Sequence, residues 1–213
     1  MILRLGLLLM LIAALASGGL ALLNTQTAPV IAENKAREQE QARTEVMRSL
    51  GVTRFEKRVA DDGLVYYRAF DERGVLIGYV TVARGKGYSS TVETVAGYDT
   101  TFHVAGLKIT FQQETPGLGT KSQEIRKGET TPWFLQQFAG KDATTLAVKK
   151  DRGDIDAITG ATITSRAVTN SVREAALKVK DAVAHEPVPI GQPALSDTLA
   201  AEIGSAASRE EQP

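Results

Sequence analysis

The decapeptide DAITGATITS, Asp156 to Ser165, runs directly into RAVTNSVREAALKVKDAV. Hydroxyl side chains at Thr159, Thr162, Thr164 and Ser165 stand around Gly160 and Ala161, at the mouth of an expected helix. A helix start carries unpaired N–H groups and partial positive charge, so it suits a phosphate. Gly160 lets an anion approach the backbone, and Ala161 is small for the same reason. Thr162 then places a hydroxyl where the phosphate would sit, either to hydrogen-bond it or to be esterified to it. An alcohol is a weak nucleophile near neutral pH. No His or Cys stands nearby, and Asp156 is the one helper within the motif. Esterification would therefore need a separate transferase. The same residues also read as a plain helix cap, with a Thr or Ser hydroxyl accepting a free backbone N–H.

Several elements must position this motif. Val168, Val172, Ala175, Ala176, Val179 and Val183 recur at helical spacing, and His185-Glu186-Pro187-Val188-Pro189 ends the helix. Upstream, Leu64–Phe70 and Val75–Ala83 read as strands separated by hairpin chemistry at Asp71-Glu72-Arg73-Gly74. Val92–Gly97 and Phe102–Phe111 read as two more, and Thr145–Lys149 as a short one. Pro132 opens a short helix. The sum is a single α+β domain of antiparallel strands with helices packed on one side.

Composition narrows the chemistry. Basic and acidic residues balance at 25 each, so nothing electrostatic favours nucleic acid. The absence of cysteine excludes disulfides, thiolate nucleophiles, cysteine-ligated iron–sulfur clusters and c-type haem. Two distant histidines, His103 and His185, give no His-rich metal site. Redox chemistry in this chain would need an organic cofactor.

The N-terminus is apolar and uncharged from Leu5 to Leu23. At ~1.5 Å per residue that comes close to crossing the ~30 Å hydrocarbon core. A cleaved signal peptide with its cut at Ala14-Leu15-Ala16 is the competing reading. The apolar run resumes at Leu20-Ala21-Leu22-Leu23, past that cut, which favours an anchor. Arg4 precedes the span and no charge follows until Glu33, so the body is expected outside the cytoplasm. The expected layout is an anchor over 1–24, a helical linker over 25–50, the domain over 51–185 and a tail without fixed structure over 186–213, holding one weak helix at Leu195–Ile203.

DAITGAT resembles the flavinylation motif Asp-x-x-(Ser/Thr)-Gly-Ala-(Thr/Ser). That motif marks the FMN-binding domains of two membrane proteins, the G subunit of the Rnf complex and the C subunit of the sodium-pumping NADH:quinone reductase. The resemblance runs from the anchor to about Ala184. It takes in Thr27-Ala28-Pro29-Val30-Ile31, Gly97-Tyr98, Pro132-Trp133 and the segment Glu114-Thr115-Pro116-Gly117-Leu118-Gly119. It implies covalent FMN on Thr162 through a phosphoester, installed from FAD by a flavin transferase, with Asp156, Thr159, Gly160 and Ala161 completing the motif. It also implies that the ETPGLG turn lies close to the flavin, with Thr115, Gly117 and Leu118 as contacts. Compact length and the TGATITS form look more like the Rnf protein than the quinone-reductase one.

The implied role is an electron-transfer subunit of a bacterial inner-membrane complex, with no catalytic residue and no resident metal of its own. Partner subunits would pass electrons between ferredoxin and NAD and couple this to Na⁺ or H⁺ translocation. No Gly-rich dinucleotide signature or Cys cluster is present, so the nicotinamide and iron–sulfur steps would belong to those partners. The alternatives are a component of the quinone-reductase type, a stand-alone extracellular reductase, and a membrane-tethered binding or assembly module without flavin.

Overall fold

In the computed structural model, which describes residues 2–185, the N-terminal apolar run is part of one long helix, α1 (Ile2–Val46). Its most apolar 18-residue stretch has a mean hydropathy of 2.3, and the helix is long and apolar enough to cross a membrane. Leucines from Leu3 to Leu23 lie exposed along it. The expected tail and its weak helix lie outside the described residues. Contacts divide the chain into residues 1–182 and 183–213, and the second unit is described only as far as His185.

Five antiparallel strands follow in simple meander order: β1 (Arg54–Val59), β2 (Val65–Phe70), β3 (Leu76–Lys86), β4 (Thr91–Asp99) and β5 (Val104–Phe111). β2 to β5 lie where alternation and β-branched content place them. β1 is an addition to the expected set. RFEKRV has no apolar alternation because it is an edge strand, exposed or half-buried along its length. A short helix, α2 (Trp133–Gln136), begins after Pro132, and α3 (Thr162–His185) closes the described chain. Thr145–Lys149 forms no strand of its own. A single parallel bridge joins Val148 to Ile155, and Lys149–Asp151 is a 3-10 turn.

β4 is buried on both faces from Val92 to Tyr98, because a helix covers each side. On one side lies α3, whose Val168, Val172, Ala176 and Val179 are fully buried. Tyr98 Oη donates to Val172 O at 2.9 Å, and a Cβ on Gly85 would fall 2.2 Å from Ala167 O. The other side receives the C-terminal turns of α1. Gly97 and Gly106 pair across β4 and β5 and make a flat trough for them. A Cβ on Gly97 would meet Met47 Sδ at 2.6 Å, and one on Gly106 would meet Val46 O at 2.5 Å.

Ala42, Val46 and Met47 thereby join Ala69, Val80 and Val95 in one apolar cluster. Lys35–Glu93 (3.1 Å) and Lys108–Glu45 (2.6 Å) tie the same helix to the sheet. The stretch expected as a helical linker is helical as far as Val46, and its last turns are core. Helices therefore stand on both faces of the sheet, one more than the single side expected from the pattern of elements.

Candidate functional site at the start of the last helix

Glu114 organises the ground on which the motif stands. β3 passes into β4 through Gly87-Tyr88-Ser89-Ser90, whose successive N–H groups must find acceptors. The N–H groups of Tyr88, Ser89 and Ser90 all donate to the Glu114 carboxylate, at 3.0 Å each. Thr164 Oγ1 donates to the same carboxylate at 2.5 Å. Glu114 is only 5% exposed. Burial pushes its carboxyl pKa up, but the hydrogen bonds from Thr164, Ser90, Tyr88 and Ser89 outweigh that and hold it below the ordinary carboxylate range.

The ETPGLG turn and the motif are in direct contact. A Cβ on Gly119 would fall 2.8 Å from Thr164 Oγ1. Gly160 has a φ of +78°, and a Cβ there would fall 3.0 Å from Leu118 Cδ2. The structure thus brings Leu118, Gly160, Ala161 and Thr162 together. Leu118 is 43% exposed, so its side chain offers apolar surface at the motif. Gly117 N–H donates to Thr120 Oγ1 and Leu118 N–H to Thr115 O, so both are spent inside the turn. The Thr115 hydroxyl lies 3.4 Å from Ser89 Oγ.

The motif's hydroxyls divide by burial. Thr164 and Ser165 are buried, at 1% and 0% exposure. Ser165 Oγ accepts the Ile158 N–H at 2.9 Å and donates to Ala161 O at 3.0 Å. Both hydroxyls are engaged in holding the helix start. Thr162 is half-buried, and its Oγ1 accepts from Lys150 Nζ at 3.1 Å. Among the described residues that hydroxyl caps no backbone N–H, which sets the arrangement apart from a plain capped helix. The first i→i−4 bond of α3 runs from Ser165 N–H to Ala161 O. The N–H groups of Thr162, Ile163 and Thr164 therefore precede the helical ladder.

Thr159 and Asp156 are exposed. The Asp156 carboxylate pairs with Lys149 at 2.8 Å and does not bond Thr162. Its N–H donates to Gln137 Oε1 at 2.8 Å. The cation Lys150, not the acid Asp156, therefore touches the Thr162 hydroxyl oxygen. A cleft of about 300 Å³ opens beside Ile163, bordered by Arg84, Lys86 and Arg166. Sequence reasoning missed Lys150 and Glu114. Glu114 could have been found as the carboxylate beginning a Pro-Gly turn, since such a group, once buried, must gather donors.

A half-buried hydroxyl in contact with an ammonium, unladdered N–H groups and a glycine approach would suit a phosphate at Thr162. The fold is a small α+β domain on a helix of membrane-crossing length, with a site at the start of α3 that suits a phosphate-bearing ligand.

Comparison with known families agrees with that class. Residues 87–177 match the FMN-binding domain, and residues 1–46 match the RnfG N-terminal region. The G subunit of the ion-translocating oxidoreductase complex of Escherichia coli is 33% identical over 186 residues, covering 81% of this chain and 88% of the relative. The protein of the same name from Methanosarcina acetivorans is 32% identical over 175 residues, covering 78% and 88%. That of Salmonella typhimurium is 41% identical over 101 residues, covering 47% of this chain, so the match spans about half (49%) of that relative. Among solved structures, NqrC of Shewanella oneidensis aligns with a TM-score of 0.42 at 21% identity, over 62% of this chain and 73% of that one, too partial a likeness to carry an argument. The chain belongs to the family of G subunits of ion-translocating oxidoreductase complexes.

Proposed function

We propose that the chain carries FMN as a phosphoester on Thr162 and serves as an electron-transfer subunit of a membrane-bound, ion-translocating oxidoreductase complex. The observation that carries this reading is the division of hydroxyls. Thr164 and Ser165 are buried and engaged, whereas Thr162 is only half-buried and its oxygen is held by a cation. The FMN-binding match over residues 87–177 supports the cofactor, and the names of the relatives support the complex. The match of residues 1–46 to the RnfG N-terminal region favours the Rnf type over the quinone-reductase type.

Bound FMN supplies reversible electron transfer. The chain's own residues hold and orient it. Thr162 is the covalent tether, and Gly160 and Ala161 keep the backbone approach open. Lys150 and the N–H groups of Thr162, Ile163 and Thr164 would hold the FMN phosphate. Leu118 and the half-exposed Ile163 offer apolar cover. Thr115 and Gly117 complete the adjoining turn, and Asp156 and Thr159 stand exposed for recognition by a flavin transferase. Electrons pass between ferredoxin and NAD through partner subunits, with Na⁺ or H⁺ as the coupling ion. Arg4 ahead of the apolar run supports a domain on the periplasmic side of a bacterial inner membrane, held by a single span.

Purification of the full chain from membranes tests this. The reading predicts a yellow, fluorescent band that survives denaturation and co-purifies with other membrane subunits. A colourless band would leave a tethered assembly module, and a yellow band without partners would indicate a stand-alone reductase.

A further inference from the structure

Three consecutive residues of one turn each grip the motif or its helix. Lys149 pairs with Asp156 at 2.8 Å, Lys150 Nζ lies 3.1 Å from Thr162 Oγ1, and Asp151 pairs with Arg166 at 2.6 Å. The turn itself is tightly built. Lys149 N–H donates to Ile155 O at 2.8 Å, and Gly153 N–H donates to Val148 O at 3.1 Å. A Cβ on Gly153 would fall 2.0 Å from Ala147 O, so the two limbs pass at backbone contact. Each of the two outer residues is neutralised by its own ion pair. The middle one does not. Among the described residues Lys150 has no carboxylate partner, and its one contact is a neutral hydroxyl.

An ammonium has donors only, so Thr162 Oγ1 must accept from it. The hydroxyl proton is then left free to point away from Lys150. We propose that Lys150 is the positioning residue for flavin attachment to Thr162. It holds the oxygen through one lone pair, leaves a second lone pair for attack, and receives the phosphate charge as it arrives. This rests on the reading of Thr162 as the attachment point.

The step it serves is a phosphoryl-group transfer from a flavin adenine dinucleotide. The Thr162 O–H bond and one pyrophosphate P–O bond break, and an Oγ1–P bond forms. Adenosine monophosphate leaves with the electron pair of the broken P–O bond, and the proton passes to a base of the transferase or to water. No net redox change occurs. The product is a singly charged phosphodiester beside a singly charged ammonium, and a charge-assisted contact replaces a neutral one. The flanking ion pairs of Lys149 and Asp151 keep the turn, and hence the ammonium, over the hydroxyl.

The test uses the full-length chain with purified flavin transferase, FAD and Mg²⁺, and reads the initial rate of covalent flavin incorporation by intact mass. Lys150→Met is expected to load about ten-fold or more slowly than wild type. Lys150→Arg is expected to recover to within about three-fold, since one donated contact and one charge suffice. Raised salt is expected to slow the wild type and leave Lys150→Met unaffected. Thermal melting of both variants should match wild type, because Lys150 is exposed. Wild-type protein loaded on Thr162 with Lys150→Met loading equally fast would overturn the role of Lys150 alone. So would an arginine variant as slow as the methionine one. Wild-type protein that takes no flavin on Thr162 would overturn the parent reading along with it.

Discussion

Thr164 Oγ1 donates to Glu114 Oε2 at 2.5 Å, across fifty residues of sequence, and that one bond fastens the first turn of α3 to the ETPGLG turn. The same carboxylate also fastens the β3–β4 turn. Glu114 is thus the point where three separate segments meet beneath Thr162.

Replacing Glu114 by Gln removes the charge and leaves one acceptor oxygen where two served. Hydrogen bonds to a buried charged group are worth about 1.5–3 kcal/mol each, so a loss of about 2–3 kcal/mol in unfolding free energy is expected. Denaturant titration of the variant against wild type checks it. Flavin loading should slow as well, because the helix start loses its anchor.

The same group makes stability depend on acid. Its folded pKa lies below the ordinary carboxylate value despite burial. It therefore contributes stability that is fully present above the unfolded value, about pH 4.3, and is lost as pH falls through the lowered folded value. Glu93 acts with the same sign. Burial raises it, and hydrogen bonds from Lys35 and Arg84 more than offset that. Melting temperature should fall on acidification through this window, and the fall should be shallower in Glu114→Gln.

Hydroxyl replacements should separate structure from attachment. Ser165→Ala leaves the Ile158 N–H without its acceptor, and Thr164→Val removes a donor from Glu114. Each should cost about 1–3 kcal/mol and still accept flavin on Thr162. Thr162→Ala should melt close to wild type and accept none.

Much of this was legible in the sequence, for identifiable reasons. β2 to β5 showed through because β-branched residues alternate on a sheet that buries them, and α3 because its valines and alanines recur on one face. The TGAT motif marked the mouth of α3, where the structure places Thr162 as the first helical residue. β1 was invisible because an exposed edge strand needs no apolar alternation. The docking of α1 was invisible because its cue is Gly97 opposite Gly106, and no linear pattern marks two glycines as paired. Lys150 stayed hidden because its partner lies twelve residues on, reached only once the 3-10 turn folds back.

The α1 docking yields its own expectation. A valine at Gly106 would drive side-chain atoms into the Val46 backbone. Overpacking of this kind costs about 1–3 kcal/mol. Gly106→Val should lift the end of α1 from the sheet and expose Lys35, Arg37 and Arg43 to trypsin. Limited proteolysis in detergent should show faster cleavage there than in wild type.

The most direct measurement is fragmentation mass spectrometry of the tryptic peptide spanning residues 153–166, taken from the full chain co-expressed with a competent flavin transferase. One FMN on Thr162, absent in Thr162→Ala, is the predicted result. An unmodified peptide, or flavin on Thr159, Thr164 or Ser165 instead, would contradict the account.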